Sequence, residues 1–241
     1  MNIALIGYGK MGKTIEQVAT ERGHNIVLKI SSANAADLTA ENLKKADVAI
    51  EMTQPEAARA NVLLCLLAGV PVTSGTTGWN HDIPLAEQAA KDNNTAFLYA
   101  SNYSVGVNIF FELNKMLAKL MAQQPSYDVR MKEVHHTQKK DSPSGTAITL
   151  AKQVMEQVTR KKEWSEEEQG EDILHITALR EEGVPGTHTV TYTSAIDDIE
   201  ITHTAHNRNG FALGAVLAAE FIAGKQGVFS MKDVLGIAPN P

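Results

Sequence analysis

Residues 133–147 concentrate side chains that exchange protons and bind anions. The segment carries two histidines, His135 and His136, followed closely by two lysines, Lys139 and Lys140. Imidazole exchanges protons near neutral pH, and an ammonium group binds anions or donates a proton when its pKa is lowered. This combination indicates a site that binds a small polyanion and protonates it. The alternative is a solvated strand end before an ordinary capped helix.

The same segment predicts the beginning of a helix. Pro143 cannot continue the preceding strand, and Ser144 is a favourable N-cap for the apolar spacing that follows it. The backbone N–H groups of Gly145 and Thr146 would then lie at a helix N-terminus, where unpaired N–H groups bind anions. We therefore expect an anion site at these two residues.

Composition excludes several classes of function. The chain has 241 residues, of which 43% are hydrophobic and 21% charged, and its formal net charge is −6. This charge argues against nucleic acid as the main partner, and the apolar runs are too short to span a membrane. The single cysteine, Cys65, lies in an apolar run, and the N-terminus shows no basic leader. We therefore expect a cytoplasmic protein with a buried, reduced thiol.

Strand and helix patterns alternate in the N-terminal part of the chain. Apolar runs predict strands over residues 3–6, 25–30, 47–52, 70–73 and 96–99, and amphipathic spacing predicts helices over residues 10–22, 56–68 and 82–93. Such alternation is typical of a parallel sheet with helices on both faces, the doubly wound or Rossmann-type α/β fold.

The C-terminal part has a different pattern. It predicts a helix over residues 107–123 and strands over residues 127–132, 174–180, 187–194 and 199–206. The threonine-rich alternation of residues 187–194 suits an open sheet, mixed or antiparallel, with one solvated face. We expect an α+β domain here, with an exposed acidic loop over residues 161–172.

A glycine-rich loop follows the first predicted strand and opens the first helix. In a dinucleotide site the first glycine permits a tight turn, the second lets the pyrophosphate approach the backbone, and the third allows close packing of helix and strand. A purely structural turn is the alternative. We expect coenzyme contacts at Gly7, Tyr8, Gly9, Lys10, Met11 and Gly12.

The second predicted strand lacks the acidic residue that usually binds the adenosine ribose. It ends in Ser31-Ser32, and Lys10 and Lys29 add positive charge that would tolerate a 2′-phosphate. We therefore expect Ser31 to contact the coenzyme, and both NADP and NAD to bind.

Two further segments follow predicted parallel strands. Gly75-Thr76-Thr77-Gly78 follows the fourth strand and Ala100-Ser101-Asn102-Tyr103 follows the fifth. Either segment alone is consistent with a simple turn, but doubly wound sheets bind ligands at the carboxyl ends of their strands. Together the segments predict the walls of a nicotinamide pocket, formed by Gly75, Thr76, Thr77, Ala100, Ser101, Asn102 and Tyr103.

Other chemistries find less support in the sequence. His135 and His136 are adjacent on a strand and should face opposite sides, and His203 and His206 lack a cysteine or carboxylate cluster at ligand spacing. We therefore expect no metal. The sequence contains neither a G-x-S-x-G nucleophile motif around Ser144 nor a G-x-x-x-x-G-K-[ST] phosphate loop.

Taken together, these motifs resemble those of the dihydrodipicolinate reductase family, whose members are also called 4-hydroxy-tetrahydrodipicolinate reductases. The glycine loop, residues 75–78, residues 102–108 and above all residues 133–147 carry the resemblance, which extends over essentially the whole chain. It implies an NADH- or NADPH-dependent reduction of a cyclic imine dicarboxylate to tetrahydrodipicolinate in lysine and diaminopimelate biosynthesis.

The resemblance also implies roles for individual residues and domains. His135 matches a proton donor and acceptor, and Lys139, two residues before Asp141, matches a proton-donating and substrate-binding residue. The resemblance implies a dinucleotide-binding domain over residues 1–104 and 211–241. It implies a second domain over residues 105–210 that binds substrate and forms a homotetramer through its sheet. The implied substrate-binding residues are His136, Ser144, Gly145 and Thr146.

The sequence departs from the family pattern in two places, and two rival interpretations stay open. Ser31-Ser32 replaces the charged pair that often ends strand two, which leaves coenzyme preference open, and the chain is shorter than many members between strands two and three. Another dehydrogenase of this architecture would need a different substrate loop from residues 133–146. A regulator that binds NAD(P) without turnover would show a broken catalytic pair, whereas His135 and Lys139 are both present.

Overall fold

The computed structural model describes residues 1–207 and 209–237. The chain divides into two compact units, one formed by Met1–Val105 with Asn209–Pro241 and the other by Gly106–Arg208. The predicted domain ranges, 1–104 with 211–241 and 105–210, include residues 208 and 238–241, which lie outside the described residues. Residues 209–237 thus belong to the N-terminal unit.

Strands and helices occur in the following order along the described residues. The strands are β1 (Asn2–Ile6), β2 (Asn25–Ile30), β3 (Val48–Glu51), β4 (Val72–Ser74), β5 (Ala96–Tyr99), β6 (Asp128–His135), β7 (Glu163–Ser165), β8 (Ile173–Arg180), β9 (Gly186–Thr193), β10 (Asp198–Ala205) and β11 (Gly227–Phe229). The helices are α1 (Lys10–Glu21), α2 (Ala40–Leu43), α3 (Pro55–Leu67), α4 (Ile83–Asp92), α5 (Val105–Met121), α6 (Gly145–Gln157), α7 (Asn209–Ile222) and α8 (Met231–Val234). Within the described ranges, none of these helices is long and apolar enough to cross a membrane.

Six parallel strands form the sheet of the first unit, in the order β11-β5-β4-β3-β1-β2. Alternate residues of β1 bury opposite faces of this sheet. Ile3 and Leu5 pack with α1 and α7, whereas Ala4 and Ile6 pack with α3 and α4. The predicted doubly wound fold is therefore confirmed, and the loops that follow the parallel strands lie at one edge of the sheet.

The sheet of the second unit is mixed and has the order β10-β9-β6-β8-β7. Its central strand, β6, pairs in parallel with β8 and antiparallel with β9. One face packs against α5 and α6 through residues such as Phe110, Leu150 and Tyr192. The other face carries exposed charged residues, including Arg130 and Lys132. The predicted α+β domain with an open mixed sheet is confirmed.

Most predicted elements lie within two residues of the observed ones. The exposed loop predicted over residues 161–172 is correct for residues 167–172, which are exposed and lie outside helices and strands, but wrong for the first part of the segment. β7 crosses this segment and pairs with β8. Lys161 is buried, with its Nζ 2.8 Å from the Asp128 carboxylate, and it donates to the carbonyl groups of Gly170 and Ile173. The acidic composition of this segment predicts an exposed loop. Lysines are also rarely buried, so no sequence pattern indicated that Lys161 is buried.

Gly214 allows α7 to pack tightly against the chain that precedes α5. A Cβ atom at Gly214 would lie 1.7 Å from the Tyr103 carbonyl oxygen. At Gly210, in the same helix, a Cβ atom would lie 3.7 Å from Ser104 Oγ, which is an ordinary contact. The two glycines therefore form a matched pair that isolates the effect of close packing.

We expect Gly214→Ala to lower the free energy of unfolding by about 3 kcal/mol, as overpacked sites do. Gly210→Ala should instead change it by about 1 kcal/mol or less, in the stabilising direction, because alanine favours helix over glycine. Chemical denaturation of both variants measures the difference. Equal stability of the two variants would contradict the packing described for α7.

Candidate active site

The first unit gathers the predicted coenzyme-binding residues at one edge of its parallel sheet. They follow the carboxyl ends of β1, β2, β4 and β5, the edge at which doubly wound folds bind ligands. These residues are Gly7, Tyr8, Gly9, Lys10, Met11 and Gly12 after β1, Ser31 after β2, Gly75, Thr76 and Thr77 after β4, and Ala100, Ser101, Asn102 and Tyr103 after β5.

The three glycines of the first loop have different surroundings. Gly7 has a φ of 101°, and a Cβ atom there would lie 2.0 Å from the Met52 carbonyl oxygen. A Cβ atom at Gly12 would lie 2.6 Å from the Gly7 carbonyl oxygen, whereas at Gly9 it would have no described atom within 4 Å. Gly7 and Gly12 thus close the turn and pack the helix, and Gly9 leaves open space at the N-terminus of α1. This arrangement fits a pyrophosphate.

The glycine loop is bound to the end of β2. The N–H groups of Gly7 and Tyr8 donate to the Ile30 carbonyl oxygen at 2.9 and 2.7 Å. Ser31 follows directly and begins a short 3₁₀ segment, with its Oγ accepting from the Ala33 N–H at 3.3 Å. Ser31 therefore lies beside the loop, as a contact with the adenosine ribose requires.

The two lysines near this loop differ in their environment. Lys29 forms an ion pair with Glu16 at 2.5 Å, and its Nζ lies 5.2 Å from the centre of the Tyr8 ring. Lys10 is exposed at the first position of α1. Because Glu16 neutralises Lys29, Lys10 is the better placed of the two to attract a 2′-phosphate.

The segments after β4 and β5 are supported from below by buried hydroxyl groups. Thr76 donates to the buried Glu51 carboxylate at 2.9 Å. The Tyr103 hydroxyl donates to the Ser74 carbonyl oxygen at 2.8 Å and lies 2.5 Å from Thr73 Oγ1. Tyr103 is thus buried beneath the β4 loop and supports it. The residues that retain exposed surface for a nicotinamide are Gly75, Thr77, Ala100, Ser101 and Asn102.

Three neighbouring strands of the second unit bring together residues that are distant in the sequence. Glu133 and His135 lie two positions apart on β6 and therefore face the same side of the sheet. The register pairs Glu133 with His188 on β9, and His135 with Arg180 on β8. Ser144 joins them from the beginning of α6. We refer to Glu133, His135, Ser144, Arg180 and His188 as the Glu133 cluster.

The Glu133 carboxylate lies at the centre of this cluster and has no exposed surface. The Ser144 N–H donates to both of its oxygens, at 3.1 and 3.2 Å, and both terminal nitrogens of Arg180 lie 3.3 Å from Oε1. His135 Nδ1 and His188 Nε2 each lie 3.5 Å from Oε2. The two imidazole rings meet edge to face, with their centres 5.0 Å apart.

Burial and these neighbours set the protonation states of the cluster. Burial by itself raises the pKa of Glu133, but the adjacent His188, Ser144 and His135 outweigh it and lower that pKa to about 2. Burial lowers the pKa of His135 to about 4; Glu133 opposes this shift, and the surrounding cationic groups increase it. At neutral pH the cluster therefore contains a carboxylate beside a neutral imidazole.

Lys139 lies on the turn that follows β6 and is connected to the cluster through Asp141. Its Nζ is 2.8 and 2.9 Å from the two Asp141 carboxylate oxygens, and this contact lowers the pKa of Asp141. Arg180 donates to the Asp141 backbone carbonyl at 2.7 Å. The Lys139 N–H donates to the carbonyl of the half-buried His136 at 3.1 Å, which closes the turn. Lys139 is close enough for its charge to lower the pKa of His135.

The predicted helix N-terminus adjoins the cluster. Ser144 caps α6, with its Oγ accepting from the Ala147 N–H at 3.1 Å and lying 3.1 Å from His188 Nε2. Gly145 is exposed and Thr146 half-exposed at the first two helical positions. Their N–H groups have no acceptor within the helix, so they are available to an anion.

Three members of the cluster also have the composition of a metal site. Glu133, His135 and His188 place one possible ligand atom each within 4.8 Å of one another. His203 and His206, the histidines that the sequence offered for this role, are not members of this trio. The guanidinium of Arg180, 3.3 Å from the carboxylate, would repel a metal cation. We therefore interpret the cluster as a site that handles protons.

The partners of His135 could not be identified from the sequence alone. No sequence motif indicated a role for Glu133, Arg180 or His188, or for Glu51 in the first unit. Alternation predicted the strands that carry Arg180 and His188, but no local signal states which strands pair or in which register. The one available sign was a histidine, His188, at an inward position among alternating threonines.

Comparisons with known proteins give a consistent result for both halves of the chain. Residues 1–103 match the family domain described as Dihydrodipicolinate reductase, N-terminus, and residues 106–235 match Dihydrodipicolinate reductase, C-terminus. A 4-hydroxy-tetrahydrodipicolinate reductase of Christiangramia forsetii is 54% identical over 237 residues, 98% of either chain. One of Methanosarcina mazei is 37% identical over 242 residues, 98% of this chain and 89% of that protein.

Solved structures share the fold. A dipicolinate-bound dihydrodipicolinate reductase from Paenisporosarcina sp. TG-14 has a TM-score of 0.79 at 21% identity and covers 95% of this chain and 97% of its own. A probable dehydrogenase from Thermotoga maritima has a TM-score of 0.57 at 9% identity and covers 98% and 93%. Because family domains match both halves and a relative is 54% identical over nearly the full length, this chain belongs to the dihydrodipicolinate reductase family.

Proposed function

We propose that this protein reduces dihydrodipicolinate, or its 4-hydroxy form, to tetrahydrodipicolinate with NADH or NADPH, in lysine and diaminopimelate biosynthesis. The observation that carries the proposal is the Glu133 cluster, a buried carboxylate beside a neutral imidazole and a helix N-terminus, in a chain of this family. Hydride addition to a conjugated C=C–C=N system leaves electron density that must be protonated, and the 4-hydroxy form must also release its hydroxyl group as water. The two substrate carboxylates also need N–H donors and cations, and the cluster and its surroundings supply both.

We propose that the first unit binds the coenzyme. When bound, NADH or NADPH supplies the hydride. Gly7, Gly9 and Gly12, with the N-terminus of α1, would hold the pyrophosphate, and Ser31 would contact the adenosine ribose. Gly75 and Thr77 after β4, and Ala100 to Asn102 after β5, would border the nicotinamide, with Thr76 and Tyr103 supporting them from below.

We propose that His135 transfers the proton to the substrate. Burial keeps its imidazole neutral in the substrate-free protein. A dicarboxylate substrate brings two negative charges, and nearby negative charge raises the pKa of an imidazole. His135 would therefore take up a proton as the substrate binds and deliver it to the reduced ring. Glu133, 3.5 Å from Nδ1, would orient the ring and stabilise the imidazolium that forms.

We propose that two groups of hydrogen-bond donors bind the two substrate carboxylates. Lys139 would exchange its pairing with the exposed Asp141 for one substrate carboxylate, and would donate to His135 the proton that replaces the one delivered to the ring. Gly145 and Thr146 would bind the other carboxylate through their backbone N–H groups, next to His136 and Ser144. A site with donors at two ends selects a dicarboxylate over a monocarboxylate.

We also propose a homotetramer that assembles through the sheet of the second unit. The face of this sheet opposite α5 and α6 is polar and solvent-accessible, with Thr187 and Thr204, and Thr189 and Thr202, paired across β9 and β10. β10 is also an edge strand, which leaves a row of backbone groups for a second copy. We place the protein in the cytoplasm, where a single buried thiol stays reduced.

Substitutions in the second unit test the assigned roles. His135→Gln should lower kcat by roughly 10²–10⁴-fold, because it removes a positioned proton donor. Lys139→Ala should lower kcat and also raise the substrate KM, because a carboxylate partner is lost. Lys140→Ala, one residue further along the same exposed turn, is the matched control and should retain activity. Oxidation of NADPH, with substrate generated by the preceding synthase, measures all three variants.

Coenzyme affinity provides the second control for these variants. Neither His135→Gln nor Lys139→Ala should change the Kd of NADPH by more than about twofold, because the coenzyme residues belong to the other unit. Near-normal turnover in both variants would remove residues 133–147 from the mechanism.

Coenzyme preference is proposed from the surroundings of Ser31. No carboxylate follows β2 directly to bind a free 2′-hydroxyl, and the exposed Lys10 would attract a 2′-phosphate. We propose that both coenzymes support turnover and that NADPH is at least as efficient as NADH. The Lys29–Glu16 ion pair leaves Lys10 as the main source of any NADPH advantage.

Lys10→Ala should reduce kcat/KM for NADPH by roughly 3- to 10-fold, the value of one exposed charge-assisted contact, and leave NADH nearly unchanged. Lys13→Ala, an exposed lysine on the same helix, is the matched control and should affect neither coenzyme. Initial rates with the two coenzymes measure the ratio. A strong preference for NADH that Lys10→Ala does not alter would contradict this assignment.

A further inference from the structure

A second fully buried carboxylate, Glu51, lies at the end of β3 in the first unit. It accepts hydrogen bonds from Ser74 Oγ at 2.6 Å, from Thr76 Oγ1 at 2.9 Å and from the N–H and hydroxyl of Thr53. Three of these donors bind Oε1 and one binds Oε2. All four are neutral, so they hold the negative charge in place without cancelling it.

The position of Glu51 relates it to the two loops assigned to the coenzyme. β3 lies between β1, which leads into the glycine loop, and β4, which leads into the Gly75 loop. The Gly75 N–H donates to the Glu51 backbone carbonyl at 3.0 Å, and the next residue, Met52, donates to the Ile6 carbonyl at 2.7 Å. The carboxylate therefore lies beneath the stretch of sheet edge that joins the pyrophosphate loop to the Gly75–Thr77 loop.

Hydride transfer changes the charge of the nicotinamide ring. The C4–H bond of the neutral dihydronicotinamide breaks, its electron pair and hydrogen form a C–H bond on the substrate, and the ring becomes a pyridinium cation. A fixed negative charge nearby stabilises that cation more than the neutral ring, most strongly where water is excluded.

We propose that Glu51 supplies this charge, so that it favours hydride release by stabilising the oxidised coenzyme. The inference rests on the proposed function, which places the nicotinamide against the loops after β4 and β5. Glu51 touches neither coenzyme nor substrate in this account, because Thr53, Ser74 and Thr76 surround its carboxylate. Glu51 acts through the electrostatic field of its carboxylate and through its hydrogen bonds to the Gly75–Thr77 loop.

The test is the affinity of Glu51→Gln for the oxidised and reduced coenzymes, measured by calorimetry on the full chain with NADP⁺ and with NADPH. Glutamine keeps the shape of the side chain and removes its charge. We expect the Kd of NADP⁺ to rise on the order of 10-fold and that of NADPH to rise less than about twofold, as expected for loss of one nearby charge. The ratio of the two Kd values is the readout.

Thr76→Val distinguishes the effect of the Glu51 charge from a merely structural role of Glu51 in supporting the loop. It removes one hydrogen bond to Glu51 but keeps the charge, so it should weaken both coenzymes equally and leave the ratio unchanged. If Glu51→Gln does not fold, Glu51→Thr gives a smaller neutral side chain that suits a strand, and the same ratio is measured.

An unchanged ratio in a neutral variant that still binds both coenzymes and still turns over would overturn the inference and leave the proposed function intact. Failure of the unmodified protein to bind either coenzyme would instead contradict the proposed function itself.

Discussion

The complete burial of one carboxylate constrains the arrangement of the second unit. Glu133 has no exposed surface, so its charge is stable only while the Ser144 N–H, the Arg180 guanidinium and two imidazoles surround it. Leaving a buried charge without its partners typically costs about 3–5 kcal/mol. The interactions that stabilise Glu133 therefore also fix the positions of β6, β8, β9 and the beginning of α6 relative to one another.

The groups assigned to catalysis take their positions and protonation states from this arrangement. The bond between Glu133 and the Ser144 N–H holds the N-terminus of α6 beside His135. Arg180 connects the carboxylate to the Asp141 carbonyl, and so to the turn that carries Lys139. Burial lowers the pKa of His135 and keeps its imidazole neutral in the substrate-free protein. In the proposed function, proton transfer is thereby coupled to the binding of a dicarboxylate.

Features that depend on local sequence could be predicted, and those that depend on strand pairing could not. The Ser144 cap, the glycine loop and the alternation of β1 to β5 follow from short-range rules of capping, backbone freedom and periodicity. The meeting of Glu133 with His188 and Arg180 depends on the register of β6 with β9 and β8, which no local pattern specifies. The burial of Lys161 could not be predicted either, because its partner Asp128 lies on β6, far away in the sequence.

The most direct test of this account is an NMR titration of the His135 imidazole, with and without pyridine-2,6-dicarboxylate. His135→Gln identifies the resonance by its loss. We expect the free protein to keep this imidazole neutral down to about pH 5, since its pKa is about 4, and the dicarboxylate to raise that pKa by about three units, to near neutral pH. A pKa near the ordinary value of about 6.5 in the free protein, or one that the dicarboxylate does not change, would contradict it.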